Sequence, residues 1–152
     1  MIRRLIIGFF IVLAVFFSGC AAVPKAPKAE DLARKSFNLP QEGFAGVYIF
    51  RNTRWGAAIK RYIKIDGETI GEIAPMTYLY HQVSSGKHAI ATESEFAEYT
   101  IVINMESGKN YFISQYLKHG VFVTGTGLKH VSQDQGMDGV LECDLAAYYS
   151  EE

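Results

Sequence analysis

Hydrophobic and polar positions divide the chain into three stretches. Leu5 to Phe17 is an apolar run of thirteen residues. Residues 21 to about 42 are mixed and polar, punctuated by Pro24, Pro27 and Pro40. From Phe44 the pattern takes a period of two, the signature of strands. Phe44 to Arg51 is apolar on both faces, which predicts a central strand. Ile59, Arg61, Ile63 and Ile65 alternate with Lys60, Tyr62 and Lys64, which predicts a half-buried one. Asp66-Gly67 then predicts a two-residue hairpin, because both central positions of a type I′ turn need positive φ. Glu68 to Ile73 returns, Pro75 breaks it, and Thr77 to Val83 is a further strand. Ser84-Ser85-Gly86 turns the chain into Lys87 to Glu93. Tyr99, Ile101, Ile103 and Met105 share one strand face; Asn110 to Leu117 follows a turn at Glu106 to Lys109, with shorter strands near 121–124 and 127–131. Ser132 and Gln135 fit a helix-capping box, with Met137, Leu141, Leu145 and Tyr148 near one helical face beyond it and Val140 beside them. Gly136 and Gly139 weaken that helix by about 1 kcal/mol each. The expected fold is mainly β: an antiparallel β-sandwich over residues 43–152 with a short C-terminal helix.

The apolar run follows Arg3 and Arg4 and ends in the small residues Ser18 and Gly19, the layout of a secretory signal peptide over residues 1–19. Thirteen residues are too few to span a bilayer, which takes about 20. A rival reading extends the run to Val23 as an uncleaved anchor, which would take in Ser18, Gly19 and Cys20. Phe17-Ser18-Gly19-Cys20 resembles the lipobox of bacterial lipoproteins, with Phe where Leu is usual. That resemblance implies lipid on Cys20 and cleavage before it. Ala21 stands where an Asp commonly retains Gram-negative lipoproteins in the inner membrane, so the resemblance implies an outer-membrane anchor facing the periplasm. Several acyl chains, at about 0.8 kcal/mol per buried methylene, make such an anchor firm. Residues 20–42 then read as the lipidated N-terminus and a flexible, semi-extended tether that lets the domain stand off the membrane surface, with a brief helical turn at Asp31 to Phe37.

Without residues 1–19 the chain keeps 13 basic residues (15 less Arg3 and Arg4) against 16 acidic, a net charge of −3. Nucleic-acid binding wants a strongly basic face, so nucleic acid is not an expected partner. Cys143 has no partner once Cys20 carries lipid, and reads as a small buried hydrophobe on a helix.

Residues Gly46 to about Gly139 resemble the bacterial lipoprotein family known as domain of unknown function 2846. The resemblance rests on Val47-Tyr48-Ile49-Phe50-Arg51, Ile65 to Glu72, Thr77-Tyr78, Ser85-Gly86-Lys87-His88 and Ser107 to Phe112, in that order. The pieces are also similar to the PEGA-type β-sandwich modules of surface proteins. The resemblance implies the fold and an envelope location, and no activity.

Candidate chemistry is sparse. His81, His88, His119 and His130 lack the spacing of known zinc patterns, although His81 and His88 flank one turn. The chain has no Gly-x-Ser-x-Gly elbow and no phosphate loop. Glu93, Glu95 and Glu98 read as a solvated charge run. No catalytic residue, metal or cofactor is expected, and the chain is read as non-enzymatic. The candidate binding patch is Arg51, Arg54, Trp55, Lys60, Arg61 and Lys64, a basic stretch around the single tryptophan. It suits anionic groups on an envelope component through charge-assisted bonds and ring stacking. The bland alternative is an edge strand that uses Lys and Arg to block aggregation. The expected function is binding or scaffolding of another envelope component. The alternative is a lipid or small-ligand carrier, with a gap between the sheets lined by Tyr78, Tyr80, Tyr111 and Tyr116.

Overall fold

The computed structural model describes residues 22–120 and 123–148. The leader at 1–19, Cys20 and part of the strand expected near 121–124 lie outside the described residues. Among those described, helix α1 (Lys28–Arg34) precedes strands β1 (Phe44–Arg51), β2 (Arg61–Ile65), β3 (Glu68–Ile73), β4 (Thr77–Ser84), β5 (Gly86–Glu93), β6 (Glu98–Met105), β7 (Asn110–Lys118) and β8 (Gly125–Val131). Helix α2 (Gln133–Leu141) and the short strand β9 (Asp144–Leu145) complete the order. One sheet runs β8-β7-β1-β4-β9 and the other β3-β2-β5-β6.

The sandwich is the expected one, but its pairing is mixed. β1 pairs antiparallel with β4 and parallel with β7, and β4 pairs parallel with β9. The cause is a repeated crossing between sheets. β5 and β6 form a hairpin in the second sheet, so the chain re-enters the first sheet at the end where β1 begins. β7 must then run in the direction of β1. The Ser84-Ser85-Gly86 turn is one of these crossings rather than a hairpin, since β4 and β5 lie in different sheets. Asp66 and Gly67 take φ of 52° and 89°, the type I′ geometry their sequence predicts.

β1 is buried on both faces, as its composition requires. Val47 and Ile49 face the second sheet and join Ile63, Ile73, Leu79, Ile90, Met105 and Ile113 in the main core. Tyr48 and Phe50 face the other way and pack with Tyr78, Tyr80, Phe112, Val140, Cys143 and Leu145. This second core needs a cover, and the segment expected to be a tether supplies part of it. From residue 22 on, the chain is packed rather than free. Val23 is only 7% exposed and joins the main core. The Ala26 amide donates to the Leu145 carbonyl at 2.9 Å, and the Ala147 amide to the Pro24 carbonyl at 2.8 Å, so residues 24–26 extend the sheet beyond β9. Asp31 on α1 accepts from the Tyr78 hydroxyl at 2.9 Å and the Leu145 amide at 3.1 Å, and pairs with Lys35 at 2.9 Å. The Phe37 ring closes on Tyr48 and Phe112, with centroids 5.5 and 5.8 Å away. Composition suggested a solvated linker; a buried carboxylate and one aromatic ring fix it to the domain instead.

α2 supplies the rest of the cover. The Ser132 hydroxyl accepts from the Gln135 amide at 3.4 Å, the predicted cap. The buried face matches the expected one only in part: Val140 is buried and Met137 packs on the second core. Gly136, Gly139 and Val140 face inward, while Leu141 is exposed and Leu145 belongs to β9. A Cβ at Gly136 would sit 2.1 Å from the Phe112 Cβ, and one at Gly139 would sit 2.2 Å from the Phe50 ring. The glycines that weaken the helix in isolation are what let its backbone rest on these rings. Cys143 is buried as expected, just past the end of α2.

Asp31→Ala orphans the buried Leu145 amide and leaves the Tyr78 hydroxyl only the backbone carbonyl of residue 31, at 3.3 Å. We expect a loss of roughly 1–3 kcal/mol in unfolding free energy, the cost of one orphaned group. Limited proteolysis should then cut between residues 22 and 42 before the sandwich opens. Denaturant unfolding and protease mapping equal to those of the parent chain would contradict the role given to Asp31.

Candidate functional site

The basic stretch from Arg51 to Lys64 does not form one basic surface. Arg51 ends β1 and its side chain is fully buried. Its guanidinium donates to the carbonyls of Ile59 at 2.7 Å, Trp55 at 2.6 Å and Gly56 at 2.9 Å. Its Nε finds no acceptor among the described residues. Burial foremost, and then the charge of Arg61, hold its pKa below the usual arginine value. Arg51 is therefore the internal post around which loop 52–60 is wound, not a ligand-binding group. A planar fork that reaches several carbonyls at once suits arginine and not lysine.

The remaining cations are mostly engaged. Lys60 pairs with Glu72 at 2.7 Å, and Lys64 pairs with Glu98. Arg61 donates to the Thr124 carbonyl at 3.1 Å and the Thr126 hydroxyl at 3.4 Å, which ties β2 to the start of β8. Exposed pairs of this kind add about 0–1 kcal/mol to stability. Their effect here is to cancel charge that the patch would have needed. Arg54 is exposed and lines an open cleft of about 540 Å³ with Lys25, Met76, Glu142 and Asp144, where both signs of charge meet. Of the six patch residues, Arg54, Trp55 and Lys60 are exposed on loop 52–60, and Lys60 is held by Glu72.

Trp55 belongs to a different surface. Its ring is 49% exposed and meets the His119 ring edge-on at 5.4 Å. It does not cap the sandwich core. Gly56 beside it lies against Leu117, because a Cβ there would come within 2.3 Å of the Leu117 side chain. The loop between β7 and β8 is braced in turn to the loop between β5 and β6. The Thr126 amide donates to the Ser94 hydroxyl at 3.0 Å, which donates to the Thr126 carbonyl at 3.1 Å; the Val123 amide donates to the Glu95 carboxylate at 3.4 Å. Three loops thus share one end of the sandwich and present Trp55, Phe96 (75% exposed) and Val123 (55% exposed). Sequence reasoning took 93–98 as a solvated acidic run and missed Phe96. The available signal was a phenylalanine among three glutamates in a turn, where burial cannot explain it.

The four tyrosines proposed to line a ligand gap do not share one. Tyr78 and Tyr80 lie in the second core, on the helix-covered side. Tyr111 packs against the main core, and Tyr116 is exposed. The space between the sheets is filled by aliphatic side chains.

The histidines separate. His119 touches Trp55, and His130 tilts against Tyr111 at 5.6 Å. His81 and His88 line one cleft of about 330 Å³ with Asp66 and Glu68. His88 Nδ1 lies 2.6 Å from the Asp66 carboxylate, and Nε2 lies 2.7 Å from the Ser84 carbonyl. Both neighbours only accept, so the ring that satisfies both is the imidazolium, donating from each nitrogen. Burial is the largest influence on His88 and opposes this charge, but the bond to Asp66, the Ser84 carbonyl and the Asp66 charge together raise its pKa. Asp66 is lowered, first by its bond to His88 and then by the Ala89 amide at 2.9 Å. Burial, foremost, lowers His81, against the pull of Glu68. Burial also pushes the Cys143 thiol up to about 12. Among the described residues no cluster of His, Cys, Asp and Glu forms a metal-ligand set, and no helix is long and apolar enough to cross a membrane.

Residues 41–127 match the family described as protein of unknown function, DUF2846. The chain is also 42% identical over 144 residues to an uncharacterized protein of Haemophilus influenzae (strain Rd), an alignment covering 95% of this chain and 83% of that one. The chain belongs to the DUF2846 family. No solved structure matches it. The DUF2846 span holds the loops carrying Trp55, Phe96 and Val123, and both partners of the His88–Asp66 clamp. It omits α1 and α2. The Haemophilus relative leaves out only about a twentieth of the chain, so its likeness takes in the N-terminal segment and α2 as well.

The clamp has a pH signature. Asp66 has its pKa depressed, so its contribution is present above the usual carboxylate value and is lost as pH falls through the lowered one. His88 has its pKa raised, so its contribution is present below about 6.5 and is lost as pH rises through the raised value. Asp66→Asn keeps the turn, since Asn also takes positive φ. The stability advantage of the parent chain over this variant should peak at about pH 5–6 and shrink toward pH 8 and pH 3. A difference that stays flat across that range, in denaturant unfolding, would contradict the clamp.

Proposed function

We propose that the chain is a lipid-anchored protein of the bacterial cell envelope, non-enzymatic, that binds another envelope protein through the loop end carrying Trp55, Phe96 and Val123. The anchor rests on Phe17-Ser18-Gly19-Cys20 behind a basic and apolar leader, and the outer-membrane, periplasm-facing placement rests on Ala21. One observation carries the binding role: exposed apolar side chains from three loops stand together at one end, on loops braced to each other. Large exposed aromatics on a rigid support are what binding hot spots are made of. A basic patch for anionic ligands is the weaker reading, since Lys60 and Lys64 face Glu72 and Glu98 and Arg51 is inside.

A photoreactive residue at Phe96 in cells should give a discrete protein adduct, and one at Lys129 should not. Trp55→Ala should cut the Phe96 adduct at least several-fold without lowering thermal stability. Cys20→Ala should leave the precursor uncut and abolish membrane retention. Equal adducts at both positions, or an adduct indifferent to Trp55, would remove the binding role. Normal retention of the Cys20 variant would remove the anchor.

A further inference from the structure

The path of the N-terminal segment limits how far the domain can stand from its anchor. Val23 is buried in the main core, and residues 24–26 are hydrogen-bonded to 145–147. The first fixed residue therefore comes three positions after Cys20. Fully extended chain spans at most about 3.6 Å per residue, so this leash reaches roughly 11 Å. It joins the domain at the outer edge of the five-stranded sheet, beside β9. The opposite edge is β8, five strand spacings away. At about 4.8 Å per spacing that is roughly 24 Å.

We infer that the lipidated domain sits with its β9 edge within about 11 Å of the phospholipid surface and its β8 edge turned away. This rests on the anchor at Cys20 proposed above. The surface beside the leash suits such a seat. Pro24 and Lys28 are exposed there beside Lys25, which pairs with Asp144 at 2.6 Å, and α1 turns Ala29, Leu32 and Ala33 outward. With this edge down, the strands run along the bilayer, and the loop end with Trp55 and Phe96 faces sideways. A partner reached from that position lies in or on the same membrane.

The test uses the full lipidated chain in vesicles of phosphatidylethanolamine and phosphatidylglycerol containing a headgroup-linked nitroxide quencher. A fluorophore is placed at Lys28→Cys or at Lys129→Cys. Cys143 is buried and should stay unlabelled, which the parent chain checks. Quenching at position 28 should exceed that at position 129 at least fivefold. A flexible insertion of about 20 Gly and Ser residues between Ala21 and Ala22 should bring position 28 down to the level of position 129, as a leash of that length frees the domain. The mass of the N-terminal peptide is read on the same sample. Acylated Cys20 with equal quenching at the two positions overturns the seating alone. Quenching at position 28 that survives the insertion overturns the leash as its cause. Unacylated Cys20 overturns the anchor and the seating together.

Discussion

A carboxylate buried between a helix and a sheet, that of Asp31, holds the two ends of the described chain in place. It accepts from the Tyr78 hydroxyl on β4 and from the Leu145 amide on β9, and it pairs with Lys35. A desolvated carboxylate is costly unless its acceptor sites are filled, so these partners define one position for α1. β9 is two residues long and would be marginal alone. It is held on one side by β4 and on the other by Asp31 and the Ala26 amide. The N- and C-terminal segments thus support one another, and both cover the aromatic core around Tyr48 and Phe112. The short leash proposed at the membrane follows from this docking.

Arg51 solves a comparable problem at the far end of β1. Loop 52–60 has carbonyls that no strand pairs, and the arginine collects three of them. Withdrawing its charge from the surface leaves the loop to present Trp55. The same residue that reads in sequence as part of a basic patch is what keeps the aromatic in position. This end of the sandwich accordingly presents exposed apolar side chains rather than the charge of Arg51.

Much of the sandwich was legible because period-two alternation and turn chemistry are local. Val47-Tyr48-Ile49-Phe50 could only be a strand buried on both faces, and Asp66-Gly67 could only close a tight hairpin. Ser132 marked the start of α2 for the same reason. What sequence could not supply was non-local. The parallel register of β1 and β7 follows from crossings between sheets that leave no mark on either strand. Gly136 and Gly139 look like helix defects until the Phe112 and Phe50 rings are opposite them. Residues 22–42 have the composition of a linker, and only the Tyr78 hydroxyl and Leu145 amide explain why Asp31 is buried. The patch failed likewise, because Glu72 and Glu98 reach Lys60 and Lys64 from neighbouring strands.

The docking of the N-terminal segment is the claim on which the membrane geometry and the paired termini both depend. Amide hydrogen exchange on the full chain tests it most directly. The amides of Ala26, Lys35 and Leu145 should exchange with the slow class of the sandwich, with protection of about 10³ or more, as expected for groups that open only with the fold. Exchange of Ala26 and Lys35 within about tenfold of an unstructured peptide, while β1 stays protected, would contradict it.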